Sequence, residues 1–186
     1  MSDNDIDLLV VGGGMAGLTA AARAASRGAS VVVVESADAV GGSGLFAGFL
    51  WSAPTHEVMN EINPEGDPAL RARLVDDFGA ATDWLRELDV PFADAVTVLR
   101  YGRGHQFDTS RYVAACAQTV RAHGELLLRA TVTELLQESG TVVGAVVATD
   151  GGMRTVGARR TLLATGGFQA DAGLRAELRS GRRRRG

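Results

Sequence analysis

An α/β domain built on a parallel sheet is the fold class the sequence predicts, and three observations predict it. A short apolar run, Leu8 to Val11, leads directly into Gly12-Gly13-Gly14-Met15-Ala16-Gly17. After an alanine-rich stretch of helical character, a second apolar run, Val31 to Val34, ends at Glu35. Farther on, Ser139-Gly140 and Asp150-Gly151-Gly152 punctuate three runs of high β propensity, the pattern of a three-stranded antiparallel meander.

The first unit reads as strand, helix and strand over 7–11, 15–27 and 30–35, with Gly28 as the helix stop. A parallel pair of this kind has a right-handed crossover and is buried on both faces. Its glycine spacing is that of a dinucleotide site. Gly12 permits the tight turn out of the strand, Gly14 lets backbone approach a pyrophosphate, and Gly17 lets the helix pack closely on the strands. A helix starting near Gly14 offers phosphates unpaired N–H groups and the positive end of its dipole. Glu35, at the end of the second strand, stands where a carboxylate accepts hydrogen bonds from a ribose diol.

Residues 36–54 read as a loop with a short helical piece, and Gly41-Gly42-Ser43-Gly44 within it suits close wrapping of a ligand. A turn-like stretch over 60–66 precedes Asp67, which caps a helix with Pro68 at its first position. Leu70, Leu74, Val75, Phe78, Trp84, Leu85 and Leu88 recur at helical spacing as its core contacts. Val90-Pro91-Phe92 ends that element, and 93–104 holds short strands and turns. Asp108 or Thr109 caps a helix over 110–123 that stops at Gly124, and 125–129 is a short strand. The meander occupies 132–138, 142–149 and 153–157. A separate, buried parallel strand over 161–164 leads into Thr165-Gly166-Gly167-Phe168.

Composition narrows the function classes. A 186-residue chain with 46% apolar and 22% charged residues is an ordinary globular protein with a real core. A net charge of −3 gives no reason to expect nucleic acid. The first seven residues carry three aspartates and no basic residue, unlike a signal peptide, and no apolar run approaches the ~18 residues of a membrane span. A soluble cytoplasmic protein is the expectation. Cys116 is the only cysteine, so no disulfide forms within the chain, and its alanine-rich helical setting predicts a buried structural thiol. All 19 basic residues are arginines. Residues 174–186, ending in Arg182 to Arg185, read as an irregular arginine-rich tail, a disordered end or a frameshifted run of arginine codons, after a domain over 5–173.

Together these elements resemble the glutathione-reductase-like FAD-binding Rossmann fold with its three-stranded β-meander. In particular, the chain resembles the FAD-dependent oxidoreductase 2 family of fumarate reductase and succinate dehydrogenase flavoproteins and ketosteroid dehydrogenases. The resemblance rests on Val10-Val11-Gly12-Gly13-Gly14-Met15-Ala16-Gly17-Leu18, Val34-Glu35-Ser36, Gly41-Gly42-Ser43-Gly44, Gly66-Asp67-Pro68 and Leu163-Ala164-Thr165-Gly166-Gly167-Phe168, and runs from about residue 7 to 173. It implies that Gly12, Gly13, Gly14, Met15, Ala16 and Gly17 hold the FAD pyrophosphate, and that Glu35 holds the adenosine ribose with Ser36 beside it. It implies that Gly42, Ser43 and Gly44 pass along the pyrophosphate towards the flavin. The Val132 backbone would meet the adenine, and Ala164, Thr165 and Gly166 would pass close to the dinucleotide. Residues 43–51 contain no histidine, so the implied FAD is bound non-covalently; Phe46 and Phe49 stand there where many relatives carry small or polar residues.

The activity implied is hydride transfer between flavin and a C–C bond of a small substrate, either a dicarboxylate or a ketosteroid. Members of the family are typically more than twice as long. The resemblance therefore implies an N-terminal piece, incomplete at its carboxyl end, with the capping domain and catalytic residues outside it. His105, in Gly102-Arg103-Gly104-His105, is the substrate-side candidate, ahead of His56 and His123. Two other readings stay open: a catalytically inert truncated flavin-binding fragment, and a NAD-binding dehydrogenase domain, against which the meander and Thr165-Gly166-Gly167 speak. No metal site is expected, and nothing in the sequence sets an oligomeric state.

Overall fold

The computed structural model describes residues 6–167 and 171–183. At its centre β1 (Ile6–Val11), β2 (Val31–Val34), β6 (Glu125–Leu127) and β9 (Gly152–Leu163) run parallel, and β8 (Thr141–Thr149) and β7 (Thr131–Glu138) extend them antiparallel. The spatial order is β6-β2-β1-β9-β8-β7. Successive side chains of a strand point to opposite faces, and here each face has its own cover. Val10, Val31 and Val33 pack with Leu18 and Ala21 of α1 (Met15–Ala25) and with Val113, Cys116 and Val120 of α5 (Thr109–His123). Leu9, Val11, Val32 and Val34 pack instead against Ala145, Val147 and Val156 of the meander. Among the described residues the sheet is therefore not doubly wound: helices cover one side and antiparallel strands the other. Burial on both sides is why β2 is an unbroken valine run.

Where the structure departs from expectation, the causes are physical. β9 takes the place of two predicted strands. Residues 152–157 pair antiparallel with β8, and from Ala158 onward the same strand pairs parallel with β1. Arg159 and Arg160 interrupt the apolar pattern without ending the strand, because both side chains are exposed, and Arg159 reaches Asp7 at 3.1 Å. The helix expected to run from Pro68 to residue 88 is two, α3 (Pro68–Asp76) and α4 (Phe78–Glu87), broken at Asp77, where φ is −87° and ψ 1°. The predicted cap holds: Asp67 accepts from the N–H groups of Ala69 and Leu70 at 2.9 and 3.0 Å. The break lets α4 turn Trp84 and Leu85 into the core. Leu70 and Leu74 remain 67% and 51% exposed and are not the core contacts their spacing predicted.

The predicted loop and turn over 36–66 hold two elements without a sequence signal, β3 (Phe49–Ser52) and α2 (His56–Ile62). β3 joins β5 (Gly102–Gln106) and β4 (Val96–Val98) in a second sheet, antiparallel, in the order β3-β5-β4. Ala172–Arg183 form a helix, α6, where an irregular tail was expected. Asp171 caps it by accepting from the Leu174 N–H at 2.9 Å, and alanine and leucine favour the helix. Phe168 and residues 184–186 of the predicted elements lie outside the described residues.

Candidate functional site

The site begins where β1 ends. The N–H of Gly12 donates to the Val34 carbonyl and that of Ala164 to the Val11 carbonyl, both at 2.8 Å, so β1 stays locked between its neighbours up to the turn. Gly12 has φ +107°, and a Cβ there would lie 2.4 Å from the Ala164 oxygen. A Cβ on Gly17 would lie 1.9 Å from the Gly12 oxygen. Both positions therefore require glycine, one for the turn and the other for the approach of helix to strand. The N-cap of α1 is Gly14, which supplies no side-chain cap, and the first turn holds no acidic residue. The first intrahelical bond runs from the Leu18 N–H to the Gly14 carbonyl, which leaves the preceding amides for an anion.

Glu35 is fixed beside this turn. Its Oε2 accepts from the Gly13 N–H at 2.6 Å, and its Oε1 from the Ala37 N–H at 2.8 Å and the Ser36 hydroxyl at 3.3 Å. A carboxylate has about four acceptor positions, so capacity for a ligand hydroxyl remains. The backbone around Glu35 also clamps the start of β7. The Glu35 N–H donates to the Leu127 carbonyl and the Ala130 N–H to the Glu35 carbonyl, at 2.8 and 3.0 Å. That pairing sets Ala130, Thr131 and Val132 opposite the acid.

These elements enclose a cleft of about 310 Å³. Of the residues singled out in the sequence, Gly12, Gly14, Glu35, Ser36, Gly42, Ser43, Val132, Ala164, Thr165 and Gly166 line it. Gly13, Met15, Ala16, Gly17 and Gly44 do not. Gly13 and Gly17 are buried behind the turn, Ala16 is exposed, and Gly44 packs on Met15, whose Cβ would be 3.0 Å from a Cβ at Gly44. Val11, Val34, Ala130 and Thr131 also line the cleft and were missed. The first two are the last residues of parallel strands, the place where such sheets bind ligands, and that rule was a usable signal.

The cleft glycines test the fit of a dinucleotide. A Cβ on Gly14 would meet nothing closer than the Gly41 oxygen at 4.0 Å, one on Gly42 nothing closer than the Gly14 Cα at 3.6 Å, and one on Gly166 nothing within 4 Å. No protein atom would be displaced by a Cβ at these three positions, and Gly42 and Gly166, at φ +50° and +79°, take backbone conformations that favour glycine, beside an uncapped helix start and a carboxylate. Backbone amides, not lysine or arginine side chains, line the place for phosphate.

The remaining candidates sit elsewhere. His105 Nδ1 donates to the Ala93 carbonyl at 2.8 Å while its ring stacks on Phe78 and meets the edge of Phe92, so it braces the second sheet. His56 pairs with Asp76 at 2.9 Å, and His123 ends α5. Cys116 is fully buried, and burial pushes its thiol up to about 11. Beside it the Tyr112 hydroxyl accepts from Trp84 Nε1 at 3.1 Å and donates to Thr19 Oγ1 at 2.6 Å, and Thr19 donates to the Met15 carbonyl at 2.7 Å. Among the described residues no helix is long and apolar enough to cross a membrane.

A parallel sheet with helices on one face, a meander on the other and a glycine cleft at its carboxyl end defines a dinucleotide-binding flavoprotein domain. The profile of the FAD binding domain family matches residues 7–184, and the chain belongs to that family, the one of fumarate reductase and succinate dehydrogenase flavoproteins and ketosteroid dehydrogenases. It is 26% identical over 199 residues to an NADH:fumarate oxidoreductase of Klebsiella pneumoniae (strain 342), covering 93% of this chain and 22% of that protein. Over 51 residues it is 51% identical to a 4-oxocyclohexanecarboxylate 2-dehydrogenase of Sinomonas cyclohexanicum, covering 27% of this chain and 9% of the relative. The fold is that of a flavocytochrome c3 fumarate reductase in its open conformation, with a TM-score of 0.83 at 24% identity over 96% of this chain and 36% of that one. It is likewise that of a 3-ketosteroid-Δ4-(5α)-dehydrogenase from Rhodococcus jostii RHA1, with a TM-score of 0.73 at 22% identity over 90% and 47%. The chain thus spans about a fifth of the length of the first curated relative and less than half of each of these two structures.

Proposed function

We propose that the chain is the cofactor-holding portion of an oxidoreductase that moves a hydride between a flavin and a C–C bond of a small substrate, with FAD held non-covalently. The observation that carries the reading is one cleft in which the uncapped start of α1 at Gly14, the Glu35 carboxylate and the bare backbone of Gly42 and Gly166 meet. In this reading the amides at the start of α1 hold the pyrophosphate, Glu35 accepts from the ribose, and the backbone of residues 130–132 meets the adenine. Gly42 and Ser43 then lead the other half of the cofactor away from the acid, towards Phe46. When bound, the isoalloxazine supplies the hydride chemistry, and the protein supplies position and exclusion of water. Residues 43–51 offer no histidine, cysteine or tyrosine for a covalent link. The substrate is a dicarboxylate or a ketosteroid, classes named by two of the relatives, while a third is named for a cyclic keto acid, 4-oxocyclohexanecarboxylate.

The test is a visible spectrum of the purified chain. Absorbance near about 450 nm that survives gel filtration, and is released into the supernatant on acid precipitation, is expected of bound but unlinked FAD. A colourless protein that takes up NAD and refuses FAD overturns the reading. Yellow pellet after precipitation overturns its non-covalent part.

A further inference from the structure

Met15, Thr19 and Arg23 lie four residues apart on α1 and therefore share one side of that helix. α4 and α5 meet that side, and polar atoms of the three helices form a single file there. Trp84 Nε1 of α4 donates to the Tyr112 hydroxyl of α5 at 3.1 Å. The Tyr112 and Thr19 oxygens are 2.6 Å apart, and Thr19 Oγ1 lies 2.7 Å from the Met15 carbonyl, which can only accept. A hydroxyl has one proton to give. Thr19 gives its own to the carbonyl, so the Tyr112 proton points at Thr19, and every bond in the file runs the same way. At its head stands the indole, with the Arg23 guanidinium 4.7 Å from the ring centroid. A cation over the ring draws on its π density and makes the indole N–H a stronger donor.

The file ends on the peptide unit that joins Met15 to Ala16. Hydrogen bonds aligned in one direction polarise one another. A carbonyl that accepts from a hydroxyl as well as from the helix's own N–H draws density from the amide nitrogen bonded to it. That N–H belongs to Ala16, which precedes the first intrahelical donor, Leu18, and is among the amides left for an anion. A threonine bonding back to the fourth carbonyl before it slightly weakens and bends a helix. Here Tyr112, 5% exposed and tied to Trp84, fixes the Thr19 hydroxyl in that pose. We propose that Tyr112 and Thr19 are positioning residues for the pyrophosphate, and that through the Met15 carbonyl they make the Ala16 N–H a stronger donor to it. The proposal rests on the flavin-cofactor reading above and adds to it a cause outside the cleft, which neither side chain lines. Among the described residues the one charged side chain lining the cleft is Glu35, an acid. With no cation there to hold phosphate, the strength of the amides decides how well it is held.

The test titrates the 186-residue chain with FAD, ADP and adenosine by calorimetry, and records the amide proton resonances of the ligand-free chain. Thr19→Val keeps the shape of the side chain and removes its donor. It is expected to weaken ADP and FAD about threefold and to leave adenosine, which has no phosphate, unchanged. In the free chain the Ala16 amide proton should move upfield. Thr19→Ser, which keeps the hydroxyl, should restore both the affinity and the resonance. Tyr112→Phe should give the same pattern at about twofold, since it removes a bond one link farther from the amide. Equal weakening of ADP and adenosine overturns the proposal, because a merely structural role lowers both. An Ala16 resonance unmoved by Thr19→Val overturns it as well. A parent chain that binds neither FAD nor ADP counts against the flavoprotein reading. The Ala16 resonance, which needs no ligand, then still decides whether the file of hydrogen bonds reaches that amide.

Discussion

β2 and β3 are both four-residue strands rich in large apolar side chains, and the fold treats them in opposite ways. Val31 to Val34 are at most 4% exposed, because helices lie on one side of them and the meander on the other. In β3 the polar residue is the buried one. Ser52 is 1% exposed with its hydroxyl donating to the Leu74 carbonyl at 2.7 Å, whereas Phe49 is 41% exposed. Burial thus follows what the topology stacks on a strand, and hydrophobicity alone does not secure it.

The contrast is broken most directly by a charge. Val33→Asp puts a carboxylate among side chains with no access to water and no partner, which costs on the order of 5 kcal/mol and unfolds the domain. Phe49→Asp, at a position 41% exposed, costs about 1–2 kcal/mol, well short of the loss at Val33. Urea unfolding of the two variants measures both. Equal losses would show that the second sheet is as enclosed as the first.

The glycines allow a second, somewhat smaller contrast inside the site itself. Gly17→Ala drives a Cβ into the Gly12 oxygen, so α1 must leave β1, at a cost of about 4 kcal/mol with loss of the cleft. Gly14→Ala meets no protein atom closer than 4.0 Å. It should cost less than about 1 kcal/mol of stability while weakening FAD at least about tenfold. Chemical denaturation paired with flavin titration separates the two, and a Gly14→Ala chain with undiminished FAD affinity would remove Gly14 from the phosphate site.

What was legible in the sequence follows the same division. The glycine turn, Glu35 and the Ala164-Thr165-Gly166 strand end were readable because each residue type answers to one local backbone demand. Val31 to Val34 were readable because a strand buried on both faces has no polar alternation to maintain. Short strands were legible over 93–104, but Phe49–Ser52 and its pairing with Gly102–Gln106 were not, since that pairing joins segments some fifty residues apart and two glycines weaken the β propensity of β5. The unity of β9 was hidden by Arg159 and Arg160, which are exposed at the point where the strand exchanges partners. Leu70 and Leu74 kept perfect helical spacing, but the break at Asp77 turned α4 inward without α3. Ala130 and Thr131 entered the cleft through the backbone bonds of Glu35, a contact no local pattern announces.

The helical cover of β2 can be sharpened at Tyr112. Its hydroxyl joins α4 to α1 through Trp84 and Thr19, and burial pushes it up to about 12, so it stays neutral at working pH. Tyr112→Phe strands the Trp84 N–H without an acceptor and costs about 1–3 kcal/mol. Trp84 emission should shift in the variant, and the loss should be independent of pH from about 5 to 9. An unchanged denaturation midpoint would mean that packing alone holds the three helices.

The smallest expected effect lies on the meander side. Arg154 of β9 grips Glu125 of β6 with two bonds, at 2.6 and 2.7 Å, and those bonds hold the Glu125 carboxyl below its ordinary value of 4.5. A depressed carboxyl stabilises the folded state above the unfolded value, and that contribution disappears as pH falls through the folded one. Both side chains are more than two-fifths exposed, so solvent screening keeps the pair under about 1 kcal/mol. Glu125→Gln should therefore lie slightly below the parent in stability above about pH 5.5, and the two curves should converge as pH drops below about 4. Salt at about 1 M should bring them together at every pH. Curves that instead diverge in acid would show that Glu125 is destabilised when charged, and that the grip of Arg154 does not offset its desolvation.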